Sequence, residues 1–482
     1  MKRIKFIEGC LCLILSACML GPEYQRPEFF DNVQLEKVLD LKTPSIKHLP
    51  FGPEDFHDSK LNELIQEAIE NAPDIRTALV RLRASRAAKL AAISTLFPSV
   101  DATEQHTDQV LGDNMGLIPN ENNYQVGISI AWEIDLFGKK RREIEAASLT
   151  EKQMILTLEN VMVLVVSEIS SIYVSLRTNQ YLLEQTKSDL KIQQELARLT
   201  HDKYKSGLSN AIDVNQADYQ VSTTQSNIPK LETQIEGYEN ALAVLLGKPA
   251  GSLQKELASS KDNLIKQPFK YSFQKLFKLP VEVVRYRPDV LAAEQALRIQ
   301  NAHVGEAIAN LFPTISLSAF LGFESIHFDN LFEDKSHAHS YRTSIAAPIF
   351  HFGGLWQNIK IEEANMEEAM ITYEKKLLQA TKEIKDILVG LQKMKERHKN
   401  LEKAWQKMDV AANLARNRYE SGLIDYFQVL DAEERRIAAQ AALISSCGDL
   451  YQNILNFYKS IGGQFTFDHI NESKTEQSKN TK

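Results

Sequence analysis

A chain of 482 residues punctuated by only 20 Gly and 15 Pro is built for long uninterrupted elements and not for a string of small modules. Its 43% hydrophobic and 25% charged residues exclude a polytopic helical membrane protein and a largely disordered one. The 56 Lys plus Arg against 63 Asp plus Glu, a formal charge of −7, exclude a basic footprint for nucleic acid, and Cys at 10, 12, 18 and 447 give the body no disulfide framework or Cys-based zinc site.

Lys2, Arg3 and Lys5 precede an apolar run from Leu11 to Leu15, then Ser16 and Ala17, then Cys18. Charge, apolar run and small pair in that order predict a bacterial export signal over residues 1–17. Leu15-Ser16-Ala17-Cys18 has the form of a lipobox, so Cys18 is the expected lipidation site. By resemblance to bacterial lipoproteins, Met19 in place of an Asp favours sorting to the outer membrane. Three acyl chains would hold there stably, whereas one would hold only marginally.

The body is written twice. Pro73-Asp74 returns as Pro288-Asp289, Leu96-Phe97-Pro98 as Leu311-Phe312-Pro313, and Phe137-Gly138 as Phe352-Gly353, always at one unchanging offset. At that offset Tyr204-x-Ser206-Gly207-Leu208 and Gly247 return as Tyr419-x-Ser421-Gly422-Leu423 and Gly462. One supersecondary unit is therefore expected in two copies.

Each unit opens with helix formers, about Leu61 to Leu96 in the first, and stops where Pro98 disfavours helix at Phe97. The period then changes to two. Tyr124, Val126, Ile128, Ile130 and Trp132 alternate with polar or small residues, as do Ile315, Leu317, Ala319, Leu321 and Phe323. Runs of about ten residues suffice for a tilted strand to cross a bilayer. Four strands are expected at 99–106, 124–133, 314–324 and 341–349, although Glu104 and His106 spoil the apolar face of the first. A sheet that small cannot bury itself, which favours a barrel shared between chains over a soluble sandwich.

After Phe137-Gly138, Ile155, Met162, Ile169, Leu176, Leu183, Leu190, Ala197 and Tyr204 recur every seven residues. The second copy carries Met370, Leu377, Ile384, Leu391, His398, Trp405, Ala412 and Tyr419. Such columns predict left-handed supercoiled helices, and one from Lys139 to Lys205 would run ~100 Å. Ser206-Gly207 and Ser421-Gly422 break the helices, so each unit reads as a long helical hairpin standing on a pair of strands.

These residues resemble the TolC/OprM-like outer membrane efflux proteins, in the lipoprotein branch that serves resistance-nodulation-division pumps. Cys18-Met-Leu-Gly-Pro22-Glu-Tyr24-Gln-Arg26-Pro27 looks like the mature start of that branch. Trp132-Glu-Ile-Asp135-Leu-Phe137-Gly138-Lys-Lys-Arg141 resembles its strand-to-helix junction. Leu279-Pro280, Arg287-Pro288-Asp289, Ala292-Ala293-Glu294 and Leu311-Phe312-Pro313 match the opening of its second repeat. The resemblance implies a mixed α and β membrane protein and a homotrimer. Each chain would lend four transmembrane strands to one β-barrel and its hairpins to one periplasmic α-barrel. It also implies a periplasmic adaptor (membrane fusion) protein, an inner-membrane pump and outer membrane lipid as partners.

In this family the hairpin tips near the two breaks close the periplasmic end, and inward carboxylates there form rings. The matching positions are Asp213, Asp431 and Gln428, which has no carboxylate. Ile424 stands where some members have an Arg that ties the tips together. Asp213 and Asp431 also suit a solvated helix start. Tyr204 and Tyr419 end their heptad columns, where core packing comes first and tip contact second.

The expected organisation is a signal peptide at 1–17, a lipid-anchored segment at 18–60, a first repeat at 61–247, a linker at 248–287, a second repeat at 288–462 and a polar tail at 463–482. No Walker A loop, HExxH or GxSxG marks an enzyme, and no cofactor is called for. His327, His337 and His339 are expected in an outward loop, solvated and not metal-binding. The function expected is passive export of small molecules through a duct. Its rivals are the outer component of a type I protein secretion system and a lipid-anchored coiled-coil scaffold with no pore.

Overall fold

In a computed structural model, residues 19–27, 29, 52–109, 121–258, 263–266 and 281–466 are described. The signal peptide, Cys18 and all but the start of the 463–482 tail lie outside these residues. In chain order come α1 (Ser59–Asn71), α2 (Pro73–Ser94), β1 (Ser99–Gln109), β2 (Glu121–Ile134), α3 (Lys139–Lys205) and α4 (Ala211–Leu245). A single helical turn at Gln254–Leu257 leads to α5 (Pro288–Ala309), β3 (Thr314–Ser325), β4 (His337–Ala346), α6 (Gly354–Glu420) and α7 (Tyr426–Ser460).

The repeat is reproduced in the bounds of the elements. Helices α3 and α6 have 67 residues each and α4 and α7 have 35 each, and α2, α3 and α4 all stand at the same offset from their counterparts α5, α6 and α7. The fourth strand runs from His337 to Ala346 and not over 341–349, and the opening helix also needs correction. The opening helix is not continuous over Leu61 to Leu96, because it breaks at Ala72, before Pro73. Proline is tolerated in the first turn of a helix, where its missing N–H is not needed, so Pro73 starts α2 as Pro288 starts α5. Asp58 caps α1, its side chain accepting from the Lys60 and Leu61 amides.

The chain divides into two compact units, and neither is a repeat. The first comprises the segment up to Pro27 with Arg81–Ile155 and Ala292–Glu374. It holds one antiparallel sheet in the order β1-β2-β3-β4. Ser99 faces Ala131 in the first hairpin and Thr314 faces Ala346 in the second, the same pair moved by the repeat offset. The two hairpins join through β2 and β3, from Tyr124 opposite Ser325 to Ile134 opposite Ile315.

Register sorts the side chains into two faces. One carries Val126 opposite Phe323, Ile128 opposite Leu321, Ile130 opposite Ala319 and Trp132 opposite Leu317. On the other, Thr103 and Ser129 hydroxyls lie 3.0 Å apart and Asn123 Nδ2 donates to Glu324 Oε1 at 2.8 Å. Phe320 is the buried apolar exception there. Its ring lies over the paired Gly127 and Gly322, where a Cβ on either would come within 2.8 Å of it. Strand β4 starts at His337, so His337 and His339 belong to the sheet and not to a loop. They alternate with Ala338 and Ser340, and the His337 ring packs 4.5 Å from that of Phe323.

In the same unit a strap outside the repeat, Met19–Pro27, is tied to the start of α3. The buried Arg142 donates from Nε to the Leu20 carbonyl at 2.9 Å and from Nη2 to those of Gly21 and Pro22 at 3.3 Å. Asn301 Nδ2 donates to the Pro22 carbonyl at 3.0 Å, and Arg26 pairs with Glu294 at 2.8 Å. Gly21, at φ +99, fits against Gly305, where a Cβ would collide with backbone.

The second unit takes Glu28–Val80, Leu156–Leu291 and the chain from Lys375 onward. Its core is the helical seam with Ile169, Tyr173, Leu176, Leu377, Ile384, Leu391, Leu450 and Phe457 buried.

Candidate functional site: the hairpin tips

Both tips are built the same way. At the first, the Gly207 amide donates to the Tyr204 carbonyl at 2.9 Å and the Leu208 amide to that of Lys203 at 2.8 Å. At the second, Gly422 donates to Tyr419 at 3.0 Å and Leu423 to Arg418 at 2.9 Å. Gly207 and Gly422 sit at φ +75 and +71, the left-handed backbone that ends a helix and that side chains resist. Asn210 then caps α4, accepting from the Ile212 and Asp213 amides at 2.8 and 3.0 Å. Asp425 holds the equivalent place before α7 without a side-chain cap bond.

The repeat offset sets Asp213 against Gln428, and Gln216 against Asp431. Each tip thus keeps one carboxylate of the two positions. Asp213 accepts from Ser209 Oγ at 2.8 Å in the first turn of α4. Its charge helps raise the Tyr419 and Tyr426 phenols, after burial, which is the larger cause. In the first three turns of α7 the buried residues are Tyr426, Val429, Glu433 and Arg436. Gln428, Asp431 and Arg435 form a separate stripe at i, i+3 and i+7, turned from that seam. Arg435 Nε donates to Asp431 Oδ1 at 2.9 Å.

The two tyrosines part company. Tyr419 is buried, its hydroxyl 3.0 Å from Thr200 Oγ1 and its ring 5.7 Å from that of Tyr426. Lys203 Nζ lies 3.8 Å over the Tyr419 ring and donates to its carbonyl, and burial holds this amine below the ordinary lysine value. Tyr204 is half-exposed. The cause is a seam that leaves the apolar column. On the lower part of α3 the buried positions are Asp189, Gln193, Leu196, Ala197 and Thr200, while Leu183 and Leu190 are only partly covered.

That seam holds residues the sequence reading passed over. Arg436 Nη2 meets Asp189 Oδ1 at 2.6 Å and its Nε meets Glu433 Oε2 at 2.9 Å, with Arg416 Nε 2.7 Å from Glu433 Oε1. Arg436 Nη1 also donates to Gln440 Oε1, whose amide donates to Gln185 Oε1 at 2.6 Å. Two guanidiniums and two carboxylates thus bind α3 to both helices of the second hairpin. Charges inside a helix look solvated in a sequence. The signal available was their place in the seam, with Glu433 and Arg436 at heptad spacing after Tyr426 and Val429.

The family model described as outer membrane efflux protein matches residues 64–248 and again 279–463, the two matches separated by the offset of the repeat itself. The chain belongs to the outer membrane efflux protein family. Membership makes it an outer membrane component of efflux and places it in the outer membrane. The solvent efflux pump outer membrane protein SrpC of Pseudomonas putida is 30% identical, with 96% of this chain and 98% of that protein covered. The probable outer membrane lipoprotein SilC of Salmonella typhimurium is 27% identical over 96% and 99%. Among solved structures, the outer-membrane channel OprN superposes with a TM-score of 0.83 at 28% identity, over 93% of this chain and all of that one.

Proposed function

We propose that three copies of this efflux protein close a shared β-barrel in the outer membrane and a helical barrel beneath it, forming a passive duct. The observation that carries this reading is the four-stranded sheet, whose two central strands are apolar on one face and polar on the other, with both edge strands unpaired among the described residues. Closure with neighbouring copies removes both edges, sets the apolar face to lipid and the polar face to water. A second feature agrees with it. An apolar window of α3 is as hydrophobic as a membrane span yet only 39% buried within the chain.

Cargo arrives from an inner-membrane resistance-nodulation-division pump through a periplasmic adaptor protein, and the pump supplies energy and choice. The names of relatives point to small molecules: one is a cation efflux system protein and another a solvent efflux pump component. Cys18 carries lipid that adds to the barrel's hold on the membrane. At the periplasmic end Asp431, Gln428 and Asp213 form the gate, with Tyr419 buttressing it from within the hairpin and Tyr204 turned to contact a neighbour.

Purified full-length protein in planar bilayers tests this. A steady single-channel conductance is expected, and its absence would favour the scaffold with no pore. Deleting the gene separates the remaining rival: sensitivity to small toxic compounds supports efflux, and loss of a secreted protein alone supports type I secretion.

A further inference from the structure

The chain contains a copy of its own missing interface. The contact of β2 with β3 joins one repeat to the next, and the open edges β4 and β1 are the same two strands displaced by the repeat offset. The hairpin registers already obey that displacement to the residue, since Ser99–Ala131 becomes Thr314–Ala346. Applying it to the β2–β3 register assigns a register to the edges. Ile134 opposite Ile315 becomes Ile349 opposite Val100, Ile130 opposite Ala319 becomes Ile345 opposite Glu104, and Ile128 opposite Leu321 becomes Thr343 opposite His106.

Exposure agrees with this assignment. Ile349 is 95% exposed and Val100 63%, although their counterparts Ile134 and Ile315 are partly covered by one another's strands. Strand β4 stops at Ala346, whereas β2 continues to Ile134, the equivalent of Ile349. The last residues of β2 lie beyond the start of β1 and find their strand partner in β3 alone. Residues 347–349 lack the strand that corresponds to β3, and Pro348, where β2 has Glu133, brings no amide hydrogen to a ladder, as an edge strand tolerates.

The junction that follows the strands gives an independent sign. Phe137, at the turn into α3, stacks on Phe312 with ring centroids 5.0 Å apart. Their counterparts are Phe352 and Phe97, which are 93% and 66% exposed and lie at opposite edges of the unit. Phe352 moreover holds a left-handed backbone at φ +49, a conformation that costs a bulky residue, and its ring lies 4.8 Å from that of the exposed Phe350.

We infer that a second copy of this chain docks its β1 on β4 in the register Ile349–Val100, Ile345–Glu104 and Thr343–His106, with Phe352 clasped against Phe97 of that copy. This rests on the shared-barrel reading and adds the residue pairing that the reading leaves open.

The test is a pair of cysteines in the full chain, Val100→Cys with Ile349→Cys, against Val100→Cys with Ala347→Cys, which is slipped by two residues on the same face. Directly opposed strand residues lie within disulfide reach and diagonal ones do not. Mild oxidation in membranes is expected to convert most of the first variant into covalent dimers and trimers under denaturing, non-reducing conditions. The slipped variant and each single cysteine should remain monomeric there. Cross-linking of the slipped pair in preference would overturn the register while leaving the shared barrel standing. No cross-link from either pair, with a monomer by native mass measurement, would overturn both. As a second readout, Phe97→Ala and Phe352→Ala should each lower the temperature at which the oligomer dissociates, and the double variant no further than the larger single effect. Additive losses would break the clasp.

Discussion

Among single residues, Arg436 has most at stake. It is buried between two carboxylates, and removing a partner from a buried ion network leaves charge without compensation. Arg436→Met should therefore cost ~3–5 kcal/mol of stability, read as a drop in the unfolding midpoint of the helical region. If the midpoint barely moves, water reaches the network and the charges are not truly buried. His398 is the pH-sensitive counterpart. Burial lowers its imidazole below the usual value, against the opposing pull of Glu402, while Nδ1 sits 2.8 Å from Ser446 Oγ. A depressed histidine contributes stability above its unfolded value, ~6.5, that is lost as pH falls through the folded value. Unfolding midpoints should thus decline below about pH 6.5, and His398→Leu, which restores an apolar column, should flatten that decline.

At the scale of elements, the sheet makes the sharpest prediction. Ile128 and Leu317 lie on the apolar face, and Ser129 and Ser318 on the polar one. Lysine at Ile128 or Leu317 should cost ~2–4 kcal/mol if those positions face hydrocarbon near the midplane. The same change at Ser129 or Ser318 should be mild, and equal tolerance in a refolding assay would point to a soluble sheet. Much of this layer was readable beforehand. The bounds Lys139 to Lys205 follow from glycine at each end and a heptad column between, and the alternation of β2 and β3 fixes both faces. Where reading went astray, competing signals were at work. Pro73 marks a repeat and also starts a helix, the histidines of β4 follow a polar turn that made them look like loop, and the seam of α3 turns onto Asp189, Gln193 and Thr200 while the apolar column runs on to Tyr204. The strap was legible as a motif, but its docking through Arg142 was not, because Leu20 and Arg142 lie far apart in the chain.

For the whole molecule, threefold closure would multiply each tip carboxylate. Three copies of Asp431 around one axis would attract cations and resist tight closure. Asp431→Asn should lower cation preference in bilayer recordings and weaken block by divalent ions added from the periplasmic side. Gln428, a turn away, supplies no second charge, so most of the effect should go with this one change. Asp213→Asn should do less, since Asp213 is engaged with Ser209 and its charge acts on the buried tyrosines, whose phenols it helps raise. Unchanged selectivity for Asp431→Asn would reduce that carboxylate to the partner of Arg435 and leave the duct itself intact.

The ring of Phe320 bears on how wide such a duct can be. Laid down over Gly127 and Gly322, it adds little thickness to the wall, and the two strands can approach as they do because neither glycine carries a side chain. A methyl at Gly127 would meet the Leu321 carbonyl at 2.5 Å as well as the ring, so wall and ring would have to give way together. In the proposed barrel, two hydrogen atoms in place of two methyl groups would keep the bore clear at that height, and three rings lifted into the stream would throttle flow without touching the gate.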